Sequence, residues 1–123
     1  MSQIIAIIGA SPDRKRYANK AIRAWQKQGW TVIPVNPTYE EIEGLKTYPT
    51  LADIPGPVNV ASLYVSPRVG ITILDAIAAK GIKDVYVNPG AESDDLVKKA
   101  VSLGLQPIVA CSILAIGEHP DAF

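Results

Sequence analysis

The sequence predicts an α/β fold: a five-stranded parallel sheet, strand order 3-2-1-4-5, with helices on both faces. Three observations lead there. Short apolar runs alternate with segments whose apolar residues recur at three- and four-residue spacing, the signature of strands joined by helices. A glycine follows each helical segment, at Gly29, Gly81 and Gly104, where a left-handed residue closes a helix. Right-handed crossovers between parallel strands then put helices on both sides of the sheet.

The first strand is the run Ile4-Ile5-Ala6-Ile7-Ile8, apolar throughout as a strand buried on both faces must be, and it stops at Gly9. Ala18 to Gln28 follows as a helix, with Ala18, Ala21, Ile22 and Trp25 on its inner face. Trp30 to Val35 reads as strand two, and Pro34, which has no N–H for a ladder, belongs at the end of regular pairing. Residues 36 to 49 read as irregular chain anchored by Ile42 and Leu45, and Thr50 to Asp53 as one helical turn capped by Thr50 and stopped by Pro55. Strand three covers Val58 to Val65. Ser66-Pro67 supplies an N-cap and a proline at the first helical position, and Gly70, Ile73, Leu74, Ile77 and Ala78 line the inner face of that helix. Lys83 to Val87 is strand four. Ser93 caps a helix with Asp94 and Asp95 in its first turn, as the dipole favours, and with Leu96, Val97, Ala100 and Val101 inward. Gln106 to Ala110 is strand five.

A chain of 123 residues fits one domain, 1–123, large enough for a core and too short for two. Twelve basic and twelve acidic side chains cancel, so nothing global draws it to nucleic acid or to an anionic membrane. The apolar runs fall far short of the roughly 18 residues of a membrane span, and the expected location is the cytoplasm. One cysteine makes no internal disulfide, and one cysteine with one histidine is too thin for a structural zinc site. No metal-ligand spacing and no catalytic triad or carboxylate pair emerges.

Function is written at the strand ends. Gly9-Ala10-Ser11 opens a loop carrying Arg14, Lys15 and Arg16 ahead of a helix start, where free N–H groups and the dipole favour a phosphate. The full G-x-G-x-x-G fingerprint is absent, since Ser11 and Arg14 hold its later glycine positions. Strands two, three and four close with Val35-Asn36-Pro37, Val65-Ser66-Pro67 and Val87-Asn88-Pro89. Asn-Pro and Ser-Pro are also ordinary turn starters and caps. Three together on the carboxyl edge of one sheet describe a ligand rim, with proline as an apolar shelf and asparagine as donor and acceptor. Strand two ends without the acidic residue that holds an NAD ribose, which admits a phosphorylated ribose beside the basic loop. NADP satisfies that condition, because arginine can serve its 2′-phosphate.

The stretches Ile7-Ile8-Gly9-Ala10-Ser11, Tyr17-Ala18-Asn19-Lys20, Pro34-Val35-Asn36-Pro37 and Tyr48 to Pro55 resemble the stand-alone coenzyme A-binding domain proteins. That family is Rossmann-like and similar to the N-terminal domain of the succinyl-CoA synthetase α subunit. The resemblance implies CoA in an extended cleft: Gly9, Ala10 and Ser11 at the pyrophosphate, with polar contacts from Arg14, Lys15, Tyr17, Asn19 or Lys20. It implies Val35, Asn36, Pro37 and Tyr39 at the adenosine, and Val65, Ser66, Pro67, Asn88, Pro89 and Gly90 along the pantetheine arm. Ala18 stands where many relatives have glycine. The synthetase works through a phosphohistidine on a different domain, so its ligase chemistry does not carry over. The reading is a non-catalytic CoA or acyl-CoA binder with a small-molecule ligand and an unknown protein partner. An NADP-dependent oxidoreductase using the same cleft is the alternative. A phosphate-switched receiver ranks last, lacking an acidic cluster after strand one. Cys111 reads as a small buried hydrophobe and His119 as solvated.

Overall fold

The Ile-rich first run forms β1 (Ile4–Ile8), and it is buried because neighbours pair with it on both sides. The computed structural model describes residues 3–123; Met1 and Ser2, where the expected domain begins, lie outside the described residues. After β1 come α1 (Tyr17–Lys27), β2 (Thr31–Val35), the two-residue strands β3 (Glu41–Ile42) and β4 (Leu45–Lys46), and a 3-10 turn at Leu51–Asp53. The chain continues through β5 (Val60–Leu63), α2 (Pro67–Ala79), β6 (Asp84–Val87), α3 (Asp94–Ser102), β7 (Gln106–Val109) and α4 (Ser112–Ala115), ending in a 3-10 turn at Pro120–Ala122.

The five long strands are all parallel, as expected of an α/β chain built this way, and run β2-β1-β5-β6-β7. Counted within the sheet this is 2-1-3-4-5, a correction to the expected 3-2-1-4-5. The reason lies at Pro34. Thr31 N donates to Gln3 O and Gly9 N to Val35 O, so residues 31, 33 and 35 face β1 and Pro34 faces outward. A strand on that outer side would meet a missing donor. Among the described residues only Tyr48 bridges there, its N donating to Pro34 O and its O accepting from Asn36 N. The third sheet strand therefore pairs with the opposite side of β1. At the other edge Gln106 N donates to Lys83 O and Ala110 N to Val87 O, which turns Pro107 outward in the same way.

Each face of the sheet carries its own core. On one side α1 lays Ala21, Ile22 and Trp25 against Ile5, Ile7 and Val60, joined by Ile113 from α4. Trp25 meets Trp30 edge-on at 4.8 Å between ring centres. On the other side Leu74 and Ile77 of α2 and Leu96 and Ala100 of α3 cover Ala6, Ile8, Ala61 and Val85. Lys99 ties these two helices, its Nζ donating to Asp75 at 3.0 Å and to Ile71 O at 2.9 Å.

The expected helix ends are found: Gly29, Gly81 and Gly104 have φ of +87°, +81° and +80°. Ser93 and Ser66 cap their helices, accepting from Leu96 N at 3.1 Å and Val69 N at 3.4 Å. Some local expectations need correcting. Thr50 gives its hydroxyl to the Asp53 carboxylate at 2.8 Å and makes no cap bond to backbone. Val101 faces solvent, one residue off the Leu96-Ala100-Leu103 stripe, whereas Ile73 and Ala78 pack half-buried against the core as expected. The stretch taken as irregular holds the β3-β4 hairpin, turned by Glu43 at φ +52° and Gly44 at φ +74°.

Candidate functional site

The sheet reverses direction of growth between β1 and β5: the chain lays β2 on one side of β1 and then crosses to build β5, β6 and β7 on the other. The crevice beyond the carboxyl ends of two such strands is where an open α/β sheet binds ligands. Here it lies between Gly9 and Tyr64. Gly9 has φ +85°, and a Cβ on it would sit 2.5 Å from Tyr64 O and 2.8 Å from a Val65 methyl. Only glycine fits, so the floor of the crevice is backbone.

Four grooves adjoin along this edge. The first, about 630 Å³, lies over Gly9, Ala10 and Ser11 with Arg16, Tyr17 and Tyr39 around it. The second, about 620 Å³, shares Gly9 and Asn36 with the first and is walled by Val35, Pro37, Leu51, Val65 and Ile73. A third of about 400 Å³ shares Tyr17 and Tyr64 with the first and reaches Pro89, Cys111, Leu114 and Pro120. A small fourth, about 190 Å³, joins Tyr64 and Val65 to Pro89, Gly90 and Ala91. The strand ends singled out in the sequence thus converge on one edge.

The start of α1 differs from the starts of α2 and α3. Arg16 at its N-cap offers no side-chain acceptor and no acid stands in its first turn, whereas Ser66 and Ser93 cap the other two and α3 adds Asp94 and Asp95. The positive end of the α1 dipole is left uncompensated toward the first groove. Within the loop, Gly9 N and Ala10 N both donate to Val35 O, at 3.0 and 3.2 Å, so their amides brace β2. Asp13 N donates to Ser11 Oγ, Lys15 N to Asp13 Oδ1, and Arg16 Nε lies 3.8 Å from Asp13 Oδ2.

The three asparagines in the expected site spend their amides on bonds within the protein: Asn19 beneath the loop, Asn36 and Asn88 on the groove walls. Asn19 is fully buried: its Nδ2 donates to Ser11 O at 2.9 Å and to Glu43 at 3.1 Å, and its Oδ1 accepts from Arg23 Nε at 2.8 Å. Asn36 Nδ2 donates to Ala10 O and its Oδ1 accepts from Thr38 N, both at 2.8 Å. Asn88 Nδ2 donates to Ser62 Oγ and Leu63 O, and its Oδ1 accepts from Ser112 N at 2.9 Å. Each amide locks one loop of the rim to another. Arg14 Nε lies 3.6 Å from Glu43, Lys20 Nζ stands over the Tyr17 ring at 5.5 Å, and Lys15 is exposed; these three lie outside the lining of the four grooves. Ser66 and Pro67 also lie outside it and serve the start of α2.

Sequence reasoning missed Tyr64, which lines three of the four grooves. Its one signal is an aromatic with a polar tip directly before Val65-Ser66-Pro67. Burial pushes its phenol up to about 12, with Cys111 adding to the rise and bonds from Ser112 and Ser62 opposing it. His119 is exposed, as expected, yet with Pro120 it edges the third groove, and Cys111 is half-buried on its wall. Among the described residues no helix is long and apolar enough to cross a membrane.

A family model described as CoA binding domain matches residues 3–117. The chain belongs to the CoA-binding domain family. This CoA-binding domain is 36% identical over 84 residues to the alpha subunit of ADP-forming acetate–CoA ligase II of Pyrococcus furiosus, a match covering 68% of this chain and 18% of the subunit. The domain thus spans less than a fifth of that relative's length. A conserved hypothetical protein from Pyrococcus furiosus superposes with a TM-score of 0.84 and 31% identity, over 94% of this chain and 99% of that one. The dinucleotide-forming acetyl-coenzyme A synthetase 1 of Ca. Korarchaeum cryptofilum, in complex with phosphate and ADP, gives a TM-score of 0.77 at 30% identity, over 89% of this chain and 26% of the synthetase. The expected membership of the CoA-binding domain family is found, and the ligase subunit it resembles here is that of an acetate–CoA ligase, where the succinyl-CoA synthetase α subunit was expected.

Proposed function

We propose that this domain, taken as 1–123, is a non-catalytic CoA or acyl-CoA binder that holds its ligand extended along the carboxyl edge of the sheet. The observation that carries the reading is the continuity of the grooves. An apolar bay beside Val35, Pro37 and Ile73 suits an adenine, the loop over the α1 start suits a pyrophosphate, and the bay toward Cys111 suits an alkyl amide tail. Gly9, Ala10, Ser11, Arg16 and Tyr17 would face the phosphates, Tyr39 would flank the nucleotide, and Val65, Pro89 and Gly90 the tail. Arg14, Lys15 and Lys20 are exposed or half-buried cations near the loop, and they would turn toward a ribose phosphate, Arg14 by leaving Glu43 and Lys20 by leaving the Tyr17 ring. Asn19, Asn36 and Asn88 would act through the loops they brace. The known relatives with CoA ligase names support the ligand, and the cytoplasm is where a CoA ligand is met.

Thermal unfolding with CoA, dephospho-CoA, NADP and NAD tests this. At 100 times its Kd, CoA adds about 2.7 kcal/mol, which raises the midpoint of a domain this size by roughly ten degrees. Dephospho-CoA shifts it less if the basic loop reads the ribose phosphate. A shift with NADP and none with CoA would replace this reading with the oxidoreductase one.

A further inference from the structure

The hydrogen-bond count around Ser112 leaves one proton unspent at the junction of the grooves. Ser112 Oγ lies 3.4 Å from Trp25 Nε1, 3.1 Å from Ser62 Oγ and 3.1 Å from Tyr64 Oη. The indole can only donate, and Trp25 is 1% exposed, so Ser112 Oγ accepts that proton. Ser62 is fully buried; its oxygen accepts from Asn88 Nδ2, and its hydroxyl donates to Ser112 Oγ at 3.1 Å. Both lone pairs of Ser112 are then taken. Its own proton has Tyr64 Oη as the remaining partner, which makes the tyrosine oxygen an acceptor within the protein. Among the described residues Tyr64 Oη has no hydrogen-bond partner within range besides Ser112, so the phenol proton is left for the third groove, which Tyr64 lines with Cys111 and Leu114. Raised to about 12, the group stays protonated throughout the physiological range.

We infer that the Tyr64 hydroxyl donates a hydrogen bond to a carbonyl oxygen in the tail of the bound ligand, selecting a nucleotide that carries an amide or thioester arm over the bare nucleotide. This rests on the CoA reading and adds the atom that recognises the arm. Beside the apolar walls of Pro89, Leu114 and Pro120 such a carbonyl loses water on entry, and a waiting donor offsets that cost. The buried chain from Asn88 through Ser62 and Ser112 holds the donor in place before the ligand arrives.

Calorimetric titration of the whole chain with CoA and with 3′-phosphoadenosine 5′-diphosphate, which lacks the arm, tests the assignment. Tyr64→Phe is expected to weaken CoA about three- to tenfold and to leave the truncated nucleotide within about twofold. Equal weakening of both ligands, or no change in either, overturns it. Ser112→Ala gives a second reading: it lowers unfolding stability and keeps the ratio of the two affinities. Were the phenol proton spent on Ser112, that variant would release it and tighten CoA alone, which also overturns the assignment. If the unaltered chain binds neither ligand, the CoA reading falls and this inference with it; if it binds both and Tyr64→Phe changes nothing, the inference alone falls.

Discussion

Gly9 and Tyr64 meet so closely that each constrains what the other position can hold. Gly9→Ala would bring a methyl to 2.5 Å from the Tyr64 carbonyl and force alanine to φ +85°, so a loss of about 3 kcal/mol or more is expected in urea unfolding. Gly90→Ala, with φ +95° and open space around it, should lose only about 1–2 kcal/mol. The Tyr64 phenol gives a pH signature. Its pKa rises from 10.0 to about 12 on folding, so the folded state keeps a proton that the unfolded state has released. Stability from this group is full below pH 10 and lost as pH climbs toward 12, by on the order of 2 kcal/mol. Subtracting the pH profile of Tyr64→Phe should isolate that decline; parallel profiles would refute it. Asn88→Ala leaves Ser62, Leu63 and Ser112 without their buried partner, and a loss of about 2–4 kcal/mol is expected. At this scale the sequence could be read for position and not for role. Asn36 and Asn88 line the grooves, yet the partners that satisfy them, Ala10 and Ser62, lie 26 positions away, beyond what a local motif conveys.

Helices and long strands were legible because their signals are local: apolar spacing, a cap and a closing glycine each act within a turn of the chain. Ser66 and Ser93 both cap, but Ser93 holds the shorter bond, so Ser93→Ala should lose about 1 kcal/mol and Ser66→Ala less. Equal losses in thermal unfolding would remove the distance argument. The β3-β4 hairpin was not legible, since strands of two residues carry no alternation to detect. It still matters to the site, because Glu43 in its turn reaches Asn19 and Arg14 and so pins the loop over the α1 start. Strand order was missed although its determinant was noticed: a proline unfit for a central strand is fit for an edge, and placing β2 there yields the observed order.

Taken as a whole, the molecule places its recognition surface where the sheet topology reverses, so segments from residues 9 to 120 share one rim. Fold class was visible from strand–helix alternation and the closing glycines, and the repeated strand-end pattern pointed at the carboxyl edge, whereas the Tyr64 junction required two strands and α4 to be docked first. The two outward prolines carry a further consequence. A parallel sheet with open rims is a template on which other copies could stack strand to strand into filaments. Pro34 and Pro107 each withhold a donor at the centre of an outer rim, so neither side offers an unbroken ladder to an incoming chain. Pro107→Val should restore that ladder beside exposed Ile108 and Val109, and light scattering on concentrated, gently warmed protein should then rise well before the parent's does.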